Sequence, residues 1–357
     1  MQVSLGGGAN LSAEHQRVGY RVKGTMSLKV LFIGGTGIIS SACAALAVER
    51  GIDLTLLNRG KAGRPVPDGA TVLRGDIRDS ASAASALKGQ TFDVVVNWIA
   101  FTPEQVESDI ALFRGQVGQY VFISSASAYH KPPASLPITE STVLHNPYWQ
   151  YSRDKIACEE RLIRAFRDDD FPITIVRPSH TYDQTLLPMH GGYSVIDRMR
   201  HGKPVIVHGD GTSLWTLTHH RDFAKGFIGL LGRSQAIGEA FHITSDEVLT
   251  WDRIFRLFAD AAGAPPPTLV HVPSDVIAAY DARSGDSLRG DKAHCAVFDN
   301  TKVKRLVPDF AATIPLTQGA REVIAWYDAD PSRQRIDDAF NTLTDTLIAA
   351  QKRALPG

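Results

Sequence analysis

Cysteine is scarce in this chain. Its 357 residues include three, Cys43, Cys158 and Cys295. They are far apart and odd in number, which excludes both a disulfide framework and a cysteine-based metal site and fits a reducing cytoplasm. Net charge is absent as well. Lys plus Arg is 38 and Asp plus Glu is 38, so no global electrostatic drive exists toward nucleic acid or an anionic membrane. No apolar run reaches the roughly 18 residues of a membrane helix. The first 25 residues lack the apolar core of a secretory signal, and are expected to form a flexible tail. Set against these absences, 43% of residues are hydrophobic, enough for one large domain or a main domain with a smaller partner.

Apolar runs alternate with helical patterns. Lys29 to Ile33 is apolar and partly β-branched, as in a parallel strand buried on both faces. Strands are likewise expected at 54–57, 71–74, 93–97, 120–123 and 173–176. Helices are expected at 38–50, 80–87, 103–114, 151–166 and 251–262, the last ended by Gly263 and the proline run 265–267. This alternation predicts βαβ units, hence an α/β fold of the Rossmann type. After residue 180 the pattern loosens. The expected organisation is a tail (1–25), a dinucleotide-binding domain (26–180), a mixed substrate-binding segment with returning sheet elements (181–330), and a C-terminal helix (331–357). Ile336, Phe340, Leu343 and Leu347 give that helix an apolar face.

The first strand runs into Gly34-Gly35-Thr36-Gly37, with Ile38, Ile39 and Ser40 opening the next helix. Glycines let backbone amides approach a pyrophosphate, and the helix N-terminus adds positive dipole. Asn58, Arg59 and Lys61 follow the second strand, where such a fold reads the adenine ribose. No carboxylate stands there to repel a 2′-phosphate, so the pattern leans to NADP, with NAD as the alternative. Tyr151 and Lys155 are four apart and share a helix face. A neighbouring ammonium is expected to lower the phenol's pKa and make Tyr151 a usable proton acceptor. One of the serines Ser124, Ser125 and Ser127 would hold the reacting oxygen.

Together these motifs resemble the extended short-chain dehydrogenase/reductases, and within them the NAD-dependent epimerase/dehydratase family. The likeness runs over about residues 28–250, through Gly75-Asp76-Ile77-Arg78-Asp79, Ser124 to Tyr129, Tyr151-x-x-x-Lys155, Arg177-Pro178-x-x-x-Tyr182 and Gly209-Asp210-Gly211. It implies a doubly wound parallel sheet with a smaller C-terminal substrate-binding domain. Ser125, Tyr151 and Lys155 would be catalytic. Gly34, Thr36, Gly37, Ile38, Ile39, Asn58, Arg59, Asp76, Ile77, Ile99, Ala100, Phe101, Lys155 and Pro178 would hold NAD or NADP. A homodimer through 103–114 and 151–166 is also implied. The expected activity is hydride transfer or epimerisation at a sugar or nucleotide-sugar hydroxyl. A reductase of a non-nucleotide ketone or aldehyde is the alternative.

Several departures qualify the substrate. Trp215 stands where the family commonly carries an arginine for the substrate diphosphate. Ala126-Ser127 replaces the acidic pair of the 4,6-dehydratases. Ser127, His180 and Trp215 are the candidate substrate contacts. The 298–302 stretch also resembles a group related to chloroplast stem-loop-binding proteins, some of which bind RNA. The retained Ser, Tyr and Lys, with zero net charge, argue for an enzyme instead. His219 and His220, adjacent on a strand, are expected to face opposite ways and to bind no metal. Asp168 to Asp170 reads as a solvated loop.

Overall fold

A computed structural model describes residues 27–60 and 64–354. The expected tail at 1–25 and Lys61 lie outside them.

The N-terminal half builds strands β1 (Lys29–Ile33), β2 (Asp53–Asn58), β3 (Thr71–Arg74), β4 (Val94–Asn97), β5 (Gln119–Ile123) and β6 (Ile173–Pro178). Helices α1 (Ile38–Glu49), α2 (Ser80–Leu87), α3 (Pro103–Phe113) and α4 (Gln150–Asp169) connect them. Each expected element exists, with ends shifted by a few residues. The central sheet has seven strands. Its seventh, β11 (Glu239–Ile243), pairs with β6 after an excursion through β7 (His180–Tyr182), α5 (Tyr193–Arg200), β8 (Val205–His208), β9 (Leu214–Trp215), β10 (Leu217–His219) and α6 (His220–Ile228). The order β11-β6-β5-β4-β1-β2-β3 is parallel throughout. It reverses between β1 and β4, which places a crevice at the carboxyl ends of those strands.

Register explains how the sheet serves the site. Ile33 pairs with Leu57 on one side and Asn97 on the other, and Asn97 pairs with Phe122. The strands therefore end level, and Gly34, Trp98 and Ser124 leave the sheet side by side. Val30, Phe32, Leu56, Val96 and Val121 pack against α1 and α6 on one face. Leu31, Ile33, Val95, Phe122 and Ile175 pack against α3 and α4 on the other. Burial on both faces is why these strands read as unbroken apolar runs.

A second core joins Trp215, Trp251, Phe255 and Phe258 to Val205, Val207 and Leu316. It involves β12 (Leu249–Thr250), α7 (Trp251–Ala261), β13 (Leu269–Val272) and α11 (Leu316–Asp328). Helix α8 (Ser274–Tyr280) packs in a smaller cluster through Ile277, α9 (Ala282–Ser287) follows it, and α10 (Thr301–Leu306) packs on the first core through Val303. The last helix is α12 (Asp338–Ala354). A π-helical turn, Leu288–Lys292, follows α9.

Two local expectations need correction. His219 ends β10 and accepts from the amide of Arg221, capping α6. The chain turns there, so the His219 and His220 rings meet edge to face at 4.7 Å rather than facing apart. Asp168 and Asp169 form the last turn of α4, with Asp170 its left-handed C-cap at φ 52°. Asp169 pairs with Arg114 at 2.8 Å.

Candidate active site

The crevice is a cavity of about 650 Å³. Its floor is the turn after β1. Gly34 and Gly35 have φ of +99° and +100°, a region that L side chains avoid. A Cβ on Gly35 would stand 2.7 Å from Leu56, so the turn can hug the sheet only with glycine. Ser40, the small residue in the third position, uses its hydroxyl to accept from the Gly37 amide at 2.8 Å. No acidic residue occupies the first turn of α1, so its dipole faces the cavity unopposed.

Fourteen of the residues singled out from sequence line this one cavity: Gly34, Thr36, Gly37, Ile38, Ile39, Ile99, Phe101, Ser125, Ser127, Tyr151, Lys155, Pro178, His180 and Trp215. They come from the turn after β1, the ends of β4, β5 and β6, the start of α4, β7 and β9. Ala100 and Ile77 lie instead on an adjoining hollow of about 310 Å³, which shares Ile99 with the first. Asn58, Arg59 and Asp76 line neither. The Asn58 side chain accepts from the Gly60 amide at 2.9 Å. Arg59 is exposed, 3.8 Å from Asp76.

Lys155 is buried. Its ammonium donates to the carbonyls of Ala100 and Ile123, both at 2.7 Å, and lies 4.5 Å from the Phe101 ring centre. Burial pulls its pKa down to about 8, opposed by Cys158 and Glu159. Tyr151 begins the same helix, with Lys155 Nζ 5.9 Å from its ring centre. The expectation for the phenol is overturned. Burial pushes its pKa up, a hydrogen bond with Ser125 opposes that, and Asp291 adds to the rise.

The three serines separate by their partners. Ser124 donates to Glu159, whose carboxylate is also gripped by Arg177 at 3.0 and 2.5 Å. Ser125 faces Ser127 at 2.9 Å, and Ser152 donates to Ser127 at 2.8 Å. The Ser124 hydroxyl thus belongs to a buried ionic network, while Ser125 stands toward Tyr151.

On the far wall, Trp215 is nearly enclosed against Trp251, with ring centres 5.3 Å apart. Its indole donates to His180 Nδ1 at 3.3 Å. Burial first, then Lys292 and His190, hold His180 down to a pKa of about 3, so the ring is neutral. Trp149, Asp291, Lys292, Ala296 and Phe298 complete the wall. Sequence reasoning missed all five as site residues. Their only signal was the 298–302 stretch, whose likeness to relatives carries no chemical role.

The profile of the NAD dependent epimerase/dehydratase family matches residues 30–117 and 110–244. The chain is 27% identical over 286 residues to chloroplast stem-loop binding protein of 41 kDa b from Arabidopsis thaliana, covering 73% of this chain and 72% of that one. It is 24% identical over 289 residues to 2'-dehydrokanamycin reductase from Streptomyces kanamyceticus, covering 80% of each. Among solved structures, UDP-glucose 4-epimerase from Bifidobacterium longum, in complex with NAD+ and UDP, superposes with a TM-score of 0.66. It is 19% identical and covers 85% of this chain and 99% of its own. That similarity establishes the shared fold.

Proposed function

Because this chain belongs to the NAD dependent epimerase/dehydratase family, we propose that it is an NAD(P)-dependent oxidoreductase or epimerase acting on a sugar or nucleotide-sugar hydroxyl or ketone. The observation that carries this reading is the meeting of Ser125, Tyr151 and Lys155 with the Gly34–Gly37 turn in one cavity. The turn fits a dinucleotide, since its glycines let the backbone lie where a side chain would collide. Gly34, Thr36, Gly37, Ile38 and Ile39 would hold the pyrophosphate, and Ile77, Ile99 and Ala100 the adenine side. When bound, the nicotinamide supplies the hydride acceptor or donor.

The chain's own residues do the rest. Ser125 donates to the substrate oxygen and holds it beside the phenol. Tyr151, its phenol held protonated by burial, gives its proton to a ketone at that oxygen, and takes it back from a hydroxyl in the reverse reaction. Lys155 spends two of its three N–H groups on Ala100 and Ile123, which leaves one for the cofactor's ribose. Residues 26–180 form the dinucleotide-binding part of this proposal, and 181–330 the substrate side. A cytoplasmic homodimer through α3 and α4 belongs to it too. Among the described residues, no helix is long and apolar enough to cross a membrane.

A reductase of a non-nucleotide carbonyl compound is the second reading. It is favoured by Trp215, which fills the place of an expected diphosphate-binding arginine and is enclosed against Trp251. Net NAD(P)H consumption separates the two, since an epimerase shows none. In either case Tyr151→Phe should lose turnover while the dinucleotide still binds by fluorescence titration. Near-normal turnover in that variant rejects the mechanism.

A further inference from the structure

Two cationic side chains line the cavity, Lys155 and Lys292. Lys155 is committed to backbone carbonyls. Lys292 is different. Among the described residues its ammonium has no hydrogen-bond acceptor and no ion pair, only the Trp149 ring at 5.7 Å. The neighbouring carboxylate, Asp291, contacts Lys131 at 3.3 Å. Lys131 is almost fully buried and makes no hydrogen bond. Burial pulls the pKa of Lys292 down, and Asp291 opposes that, so one carboxylate faces two lysine ammonium groups and the cluster keeps a net positive charge.

The backbone of Lys292 is anchored. Its carbonyl accepts from His208 Nε2 at 2.9 Å, Trp251 Nε1 at 3.1 Å and Ser213 Oγ at 3.4 Å. It ends a π-helical turn, a rare form that is frequent at functional sites. Asn146 ties that turn to the serine loop, donating to the carbonyls of Ser127 at 2.8 Å and Gly290 at 2.6 Å. A Cβ on Gly290 would stand 2.7 Å from Trp149 Cβ and 3.1 Å from Asn146 Oδ1. The backbone of Lys292 is thus tied to the serine loop that carries Ser125. Beside it, His180 Nδ1 accepts from the Trp215 indole, which places the neutral ring's proton on Nε2.

We propose that Lys292 is the substrate-specificity residue of this site, binding an oxyanion of the substrate, carboxylate or phosphate, with His180 as neutral hydrogen-bond donor beside it. Trp215 stands on β9 in place of the expected arginine, and the π-helical turn delivers a positive charge to the same wall. This rests on the hydride-transfer reading and names the class of substrate: a hydroxyl or carbonyl compound bearing an oxyanion.

The test uses the full chain with NADPH and NADH. Turnover is measured on 2-oxo and 3-oxo acids against their methyl esters, and on sugar phosphates and UDP-glucose against the free sugars. The first pair isolates carboxylate, the second phosphate. Wild type should favour the charged member of at least one pair by about 10- to 100-fold in kcat/KM, as a charge-assisted hydrogen bond warrants. Lys292→Met should bring that ratio toward one, mainly through KM, and Lys292→Arg should retain part of it. In parallel, the Tm rise with added oxalate or inorganic phosphate should be present in wild type and reduced in Lys292→Met. If wild type and Lys292→Met show the same charged-over-neutral ratio, or oxalate and phosphate shift both equally, the assignment is overturned. No turnover on any substrate with a Lys292-dependent Tm shift rejects the hydride-transfer reading and leaves the oxyanion site standing.

Discussion

The Lys155 ammonium donates a 2.7 Å hydrogen bond to the Ala100 carbonyl, pinning α4 to the loop that leaves β4. A second bond of the same length reaches Ile123 at the end of β5. One side chain therefore aligns three segments of the cavity wall. Lys155→Met would leave both carbonyls without this donor, at about 1–3 kcal/mol each where they stay dry. The expected outcome is a lower urea midpoint together with a loss of turnover on the order of 100-fold or more. Unchanged kcat in a folded variant would remove Lys155 from the mechanism.

Arg177 and Glu159 form a buried pair that also receives Ser124. Arg177→Met strands a fully buried carboxylate. Breaking such a pair costs about 3–5 kcal/mol, so a marked drop in chemical-denaturation stability is expected. Replacing both partners with apolar residues should recover part of it.

Asp109 gives the protein a pH signature. It accepts from Asn97 and Tyr120, both at 2.5 Å, and burial raises its pKa from 3.8 to about 6 against those bonds. The folded state holds this proton more tightly than the unfolded chain. Its contribution to stability is therefore complete below about pH 4 and lost as pH rises to about 6. The span is worth about 3 kcal/mol at about 1.4 kcal/mol per unit. Asp109→Asn should flatten the stability profile between pH 4 and 6, measured by urea denaturation, and gain on wild type above that range. Parallel profiles would show that Asp109 does not titrate there.

Arg59 bears on cofactor choice. It is exposed, 3.8 Å from Asp76, so Arg59→Ala should alter stability by no more than about 0.5 kcal/mol. If the lean to NADP is right, the variant loses roughly tenfold in NADPH affinity and little in NADH affinity. Tighter NADH binding in wild type, unmoved by the substitution, would make NAD the cofactor.

Much of the N-terminal half is legible in the sequence. A parallel strand buried on both faces must be apolar along its length, so β1, β2, β4, β5 and β6 stood out. Glycines and caps marked where helices began. The strand Glu239–Ile243 did not stand out, because its acidic start and His242 break the apolar run; pairing with β6 puts it in the sheet. The Tyr151 and Lys155 spacing was visible, but the phenol's pKa direction was not. Burial depends on what folds over the helix, and it outweighs the influence expected of the lysine. His219 and His220 misled for a similar reason, since a strand's alternation ends where a helix cap begins.

Local order in the chain sufficed to determine the N-terminal strands, the glycine turn and the Tyr151–Lys155 helix face, because each rests on neighbours within a few residues. The substrate wall was decided by tertiary structure alone. Trp215 meets His180 across 35 residues, and Asn146, bonded to Ser127 19 residues away, reaches Gly290 across 144. Long-range contacts of that kind leave no periodicity in sequence. For the same reason Lys292, an ordinary lysine in the chain, acquires its place in the site only when the fold closes around it.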